Sequence, residues 1–303
     1  MKNNLFIAIL LSAAFLMCAS GCNTTPPPPP QQSVTEPMAE VVRQINANNE
    51  QVPTLWASHY YEASIVDENK KAHFVNGDGA LLYRRPLGMR IVGNKPLAGT
   101  VFEIGSTEEK YWLKIVPDMS TMWYGDYANL GKPCVKPVPI QPNMVLEVLG
   151  ISTFNTDFTA PPAPVMRYNP DQYADAYMFD WIVPATNPAR FVVLKEIWYD
   201  RKTKRPTRVV LFDADGRPVL RATLGKHQQV PIDDEPKEKW PWVATDYKLY
   251  FPENGSKISF ALSDMVLCKN GVPCRKGIVF PGVKPADAGV ERVIQLDEGC
   301  GGK

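Results

Sequence analysis

Histidine is almost missing from this chain: His59, His73 and His227 are the only three in 303 residues. None has the spacing of a paired metal site or of an HExxH helix, so zinc hydrolysis and imidazole-based proton transfer lack their usual carriers. Each reads as a structural or solvated residue. An excess of one charge is missing too. The formal net charge is +1, and Lys2, close to the N-terminus, accounts for it; a neutral balance gives no footing for nucleic acid. Phosphate-cradling loops are absent: Gly77-Asp-Gly79-Ala lacks the third glycine of a dinucleotide fingerprint, and Gly131-Lys132 is followed by Pro133 where a P-loop needs a hydroxyl. The run Asp233-Asp234-Glu235 reads as solvated loop charge. These absences predict no catalytic residues, no cofactor and no metal.

Proline, by contrast, is plentiful at 29 residues, about twice ordinary usage. It favours loops, strand edges and extended spacers. Residues 5–17, thirteen in number, form an apolar run after Lys2. That length fits a signal-peptide core and is short for a membrane helix. It leads to Ala19-Ser20-Gly21-Cys22, small residues ahead of a cysteine, as in a bacterial lipobox. The expectation is a signal peptide at 1–21 and a lipid-modified Cys22; a plain secretory leader cut near the same place is the alternative. With three acyl chains expected there, membrane attachment would be stable. Residues 22–35 then form a tether, with five consecutive prolines at 26–30. As polyproline II at ~3.1 Å per residue, residues 23–35 would span roughly 40 Å.

Cys18 is a poor lipidation site after Leu16 and Met17, which leaves Cys134, Cys268, Cys274 and Cys300 as disulfide candidates. Cys268 and Cys274 suit the tip of a hairpin, pairing locally. Cys134 and Cys300 would then staple the C-terminal tail; free buried thiols are the alternative.

The region 36–303 reads as one mainly β (α+β) domain. Residues 36–50 place Met38, Val41, Val42 and Ile45 on one helical stripe, with Ser33 and Glu36 at capping-box spacing. Residues 191–224 read as three strands with turns at 200–206 and at Asp213-Ala214-Asp215-Gly216. Val193, Ile197 and Tyr199 share one face of the first, and Val192, Leu194 and Trp198 the other. Both faces are apolar, so both need cover. Residues 132–142 and 154–170 read as loop, 143–149 as a short helix or strand, and 226–241 as an exposed charged loop. Strands are expected within 55–61, 79–90, 100–104, 109–116, 173–183, 247–251, 256–262 and 278–280, with 290–296 closing the sheet.

Four segments in order carry a resemblance. They are Gly79-Ala-Leu-Leu-Tyr-Arg84-Arg85-Pro86, then Glu109-Lys-Tyr-Trp112-Leu, then the meander from Tyr199 to Gly216, then Ile278-Val-Phe-Pro281 with the strand 293–296. Together they resemble the LolA/LolB outer-membrane lipoprotein carriers, and a group of planctomycete-type lipoproteins with that fold. The resemblance implies a curved antiparallel incomplete β-barrel with helices covering its open side. It implies a hydrophobic cavity for lipid or lipoprotein acyl chains, with Arg85 at the mouth bonded to the lid. Leu82, Leu113, Ile115, Met178, Val193, Ile197, Val209 and Leu211 are the candidate cavity residues; ordinary core is the competing reading for each. The expected protein is a non-enzymatic monomer in the cell envelope, held on the outer membrane facing the periplasm by its N-terminal lipid. The alternative is a structural or interaction lipoprotein with a filled core.

Overall fold

The computed structural model describes residues 35–66, 70–136, 138, 140–171, 174–185, 190–232, 235–267 and 285–301. The leader, Cys22, most of the tether, Cys268, Cys274 and the expected strand at 278–280 lie outside them. The described chain opens with helix α1, Met38–Asn49. Its N-cap position holds Pro37 and no side chain caps it. The expected capping box is therefore not used: Ser33 lies outside the described residues, and the Glu36 carboxylate turns to Lys204 and Gln44.

A single large sheet follows. Its strands are β1 Thr54–Val66, β2 Ala72–Arg84, β3 Gly88–Lys95, β4 Gly99–Ser106, β5 Lys110–Ile115 and β6 Thr121–Asp126. After helix α2, Pro142–Val148, come β7 Ala163–Asp171, β8 Ala174–Pro184, β9 Phe191–Asp200, β10 Pro206–Phe212 and β11 Pro218–Gly225. A separate small ladder joins β12 Gln228–Gln229 to β13 Trp242–Val243, and the chain ends with β14 Asp246–Tyr250, β15 Lys257–Leu267 and β16 Arg292–Gln295. The sheet order is β16-β6-β5-β4-β3-β2-β1-β15-β14-β11-β10-β9-β8-β7. Among the described residues fourteen strands curve without closing, so the architecture is an incomplete barrel.

Three expectations change. Residues 163–171 form edge strand β7, despite Pro164 and Pro170; an edge can carry prolines because one side of it needs no ladder donors. Residues 226–241 are not a wholly exposed loop: they hold β12 and a 3-10 turn at Lys237–Lys239, and Val230 is fully buried. Strand β16 does not close the sheet. It pairs parallel with β6 and forms an edge, while the Cys134–Cys300 disulfide fixes the chain beyond it.

Curvature in β2–β6 comes from glycines that face rings. Directly opposite partners are Tyr61 and Gly77, His59 and Gly79, Phe102 and Gly93, Trp112 and Gly105, and Tyr111 and Gly125. At Gly79 a Cβ would fall on the Val92 carbonyl oxygen and the His59 ring; at Gly93 it would enter the Phe102 ring. The missing side chain lets each ring lie down on its neighbouring strand, which covers the backbone and allows a tight bend.

Candidate functional site

The face of the sheet that the helices cover is the natural place for a ligand, and buried side chains line it. Val41, Val42 and Ile45 of α1 are buried with Val145, Leu146 and Val148 of α2, and both helices share one core with the inward residues of the sheet. Tyr61, Tyr83, Tyr111, Tyr177, Tyr199 and Tyr247 are almost wholly buried there. Phe154 packs its ring within 4.8 Å of Phe179, 5.0 Å of Trp181 and 5.8 Å of Tyr199. Burial pushes the Tyr111 hydroxyl up to about 12 and those of Tyr199 and Tyr247 higher still.

Helix α1 is tied on several sides. Asn46 makes a two-bond clamp: its Nδ2 donates to the Phe154 carbonyl at 3.1 Å, and its Oδ1 accepts from the Phe154 N–H at 2.8 Å. Asn48 clamps Trp242 the same way, at 3.0 and 2.7 Å. Asn49 Nδ2 donates to the Ser152 carbonyl at 2.8 Å. Just ahead of the helix, the Glu36 N–H donates to the Tyr177 hydroxyl at 2.9 Å, and the Glu36 carboxylate accepts from Lys204. The Lys204 hydrogen bond holds that carboxyl below its ordinary pKa, against a smaller opposing effect of burial. Asparagines suit this work because one amide can satisfy both the N–H and the C=O of a passing strand.

Arg85 donates from its guanidinium to the carbonyl of Asn49, the last residue of α1. Of the eight predicted cavity positions, Leu113, Ile197, Val209 and Leu211 belong to the common core, and Ile115 packs against it half-buried. Leu82 and Met178 are buried but fall outside that core: in β2 the core takes Leu81 and Tyr83, and in β8 it takes Tyr177 and Phe179. Val193 is half-buried and likewise outside the core. His59 is a core residue, and burial lowers its pKa. His227 is half-buried; burial first and the Arg205 charge second lower its pKa.

The larger open space lies elsewhere. A groove of about 760 Å³ crosses six neighbouring strands, and none of the eight predicted cavity residues lines it. Its lining falls into three ladder rows. One runs Phe74, Ser64, Lys257, Tyr250, Arg221. The middle row runs Val75, Ala63, Ile258, Leu249, Ala222, all buried or half-buried. The third runs Asn76, Glu62, Ser259, Lys248, Thr223, Arg208. The outer two rows have the parity opposite to Leu249 and Ala222, which belong to the core. A groove on the core side would be walled by the next core row, Tyr61, Phe260, Tyr247 and Leu224, and none of these touches it. The groove therefore lies on the face turned away from the core, floored by backbone. A smaller space of about 230 Å³ sits beside Leu130, Val135 and Gln141.

Among the described residues no group of His, Cys, Asp and Glu could hold a metal ion, and no helix is long and apolar enough to cross a membrane. No protein-family model and no curated protein matches the chain. Solved structures do resemble it. An outer membrane lipoprotein-sorting protein domain from Vibrio parahaemolyticus is 13% identical, covering 78% of this chain and 93% of that one, at a TM-score of 0.49. A LolA superfamily protein from Nitrosomonas europaea is 13% identical, covering 80% and 96%, at 0.48. A DUF1329 family protein from Desulfovibrio piger is 10% identical, covering 79% and 96%, at 0.49.

Proposed function

We propose that this chain is a non-enzymatic protein of the cell envelope, tethered through a lipidated Cys22, that works through its outer surfaces and keeps its concave face filled. The observation that carries this reading is the embedding of α1. Lifting the helix uncovers Val41, Val42 and Ile45, each about 2 kcal/mol. It also breaks the Asn46, Asn48, Asn49, Glu36 and Arg85 ties, each about 1 kcal/mol. The total, about 10 kcal/mol, is comparable with the stability of a whole domain. A helix held this firmly behaves as part of the core.

A second reading is favoured by one contact, the Arg85 guanidinium on the Asn49 carbonyl. In it α1 is a latched lid that an acyl chain displaces. Burying about fifteen methylenes at ~0.8 kcal/mol each returns roughly what lifting the helix costs. One chain then comes close to break-even, and a triacylated ligand is favoured. Full-length protein titrated with a fluorescent fatty acid and with a fluorescent triacylated peptide separates the readings. The filled-core reading expects no saturable uptake of either. Saturable uptake of the triacylated peptide that strengthens in Arg85→Ala would replace it with the lid reading.

A further inference from the structure

The outer-face groove carries a charge pattern that neither reading uses. Arg208, Arg221, Lys248 and Lys257 stand on four successive strands, β10, β11, β14 and β15, and all four side chains are exposed. Among the described residues none of them is paired with a carboxylate; Arg208 lies 5.1 Å from the Trp198 ring. Glu62 is the one carboxylate on the groove wall. Within each row the cations alternate with neutral residues: Arg208, Thr223, Lys248 in one, and Arg221, Tyr250, Lys257 in the other. Cations two strands apart are separated by about 10 Å. At the end of the second row Phe74, the third residue of β2, is 82% exposed although it is a large apolar ring. Tyr250, 37% exposed, stands between the two cations of that row.

We infer that this face docks flat on a bilayer surface rich in anionic phospholipid, with the four cations at phosphate level and Phe74 entering the headgroup boundary. Three observations converge on a membrane and not on a small anion. The cations are spread across a surface and do not converge on one point, as a phosphate site requires. An exposed aromatic ring beside exposed cations is the composition of an interfacial surface. The chain enters the domain near one of these cations: Glu36 is tied to Lys204 in the β9–β10 turn, four residues and about 13 Å before Arg208. The inference takes the Cys22 anchor as the source of proximity, but it is independent of whether the concave face is filled.

The test places full-length lipidated protein carrying Phe74→Trp in two kinds of vesicle, one of phosphatidylcholine alone and one with about a third phosphatidylglycerol. The anchor holds the protein on both, so only the groove responds to the difference. The expected result is a blue shift of the added tryptophan, resolved against Phe74, on anionic vesicles only, lost at 1 M salt as the screening length falls to about 3 Å. Arg221→Glu with Lys257→Glu should abolish the shift, and single neutral substitutions should weaken docking about fivefold each. Circular dichroism of these exposed-site variants confirms the fold. Equal emission on both vesicles would overturn the inference. So would a shift produced by soluble polyglutamate but not by anionic lipid, which would make the face a dock for acidic polypeptide. If the protein fails to stay on neutral vesicles at all, the anchor reading fails instead, and that outcome is seen separately by flotation.

Discussion

The two halves of the sheet fill space in opposite ways. From β2 to β6 the wall bends at glycines, and Gly77, Gly79, Gly93, Gly105 and Gly125 are each covered by a ring from a neighbouring strand, so the bulk lies within the sheet itself. From β7 to β10 the strands face inward with Tyr177, Phe179, Trp181 and Tyr199, and the bulk projects from the sheet onto Phe154. One half is thin and tightly bent, and the other is thick. Helix α2, which packs against β4, β5 and β10, spans the two.

Substitutions at the two kinds of contact sharpen that contrast. In the thick half, Phe154→Ala should cost about 3–5 kcal/mol, because the cavity is ringed by side chains already packed on other partners. In the thin half, Gly79→Ala should cost about 3 kcal/mol, because one methyl meets a backbone carbonyl that cannot turn aside. Gly99→Ala, which meets nothing nearby but has a positive φ, should cost only about 1 kcal/mol. Denaturant midpoints check all three. If Gly79→Ala were as mild as Gly99→Ala, the bend in β2–β6 would not depend on close backbone approach.

The seam between the halves is polar. Asn46→Ala should cost about 2 kcal/mol, since it strands the N–H and C=O of Phe154, whose bonds to Asn46 are buried. The smallest effect concerns pH. The Lys204 contact depresses the Glu36 pKa, so its contribution is fully present above the ordinary carboxylate value of 4.5 and fades as pH falls through the lower folded value. With Glu36 side-chain exposure at 34%, solvent screening keeps this under about 1 kcal/mol. The stability difference between the native chain and Glu36→Gln should be flat from pH 6 to 8 and shrink below about 4.5. A difference that grew on acidification would contradict the assigned sign.

The sequence made the meander at 191–224 legible because its turns are explicit and its apolar runs have strand length. The stripe of α1 and the Cys134–Cys300 pairing were within reach too. Parity was not. Leu82 and Met178 sit in strands that are apolar on both faces, and a one-residue slip exchanges the faces without changing the pattern. The proline content of 154–170 concealed β7, because an edge strand tolerates what a central strand does not. The outer groove was missed for a different reason: its rows assemble residues from six strands between positions 62 and 259. Its only trace in sequence is a local alternation, Leu220-Arg221-Ala222-Thr223-Leu224 and Tyr247-Lys248-Leu249-Tyr250, which sets cations opposite the core residues.

Everything about the concave face turns on whether α1 moves independently of the domain. Native-state hydrogen exchange of the α1 amides from Val42 to Asn49 measures this without any ligand. If the helix is core, these amides exchange only through global unfolding, with protection matching the inward strands β8 and β9. Exchange at these amides many-fold faster than in β8 and β9, accelerated further by Arg85→Ala, would show a lid in place of a plug.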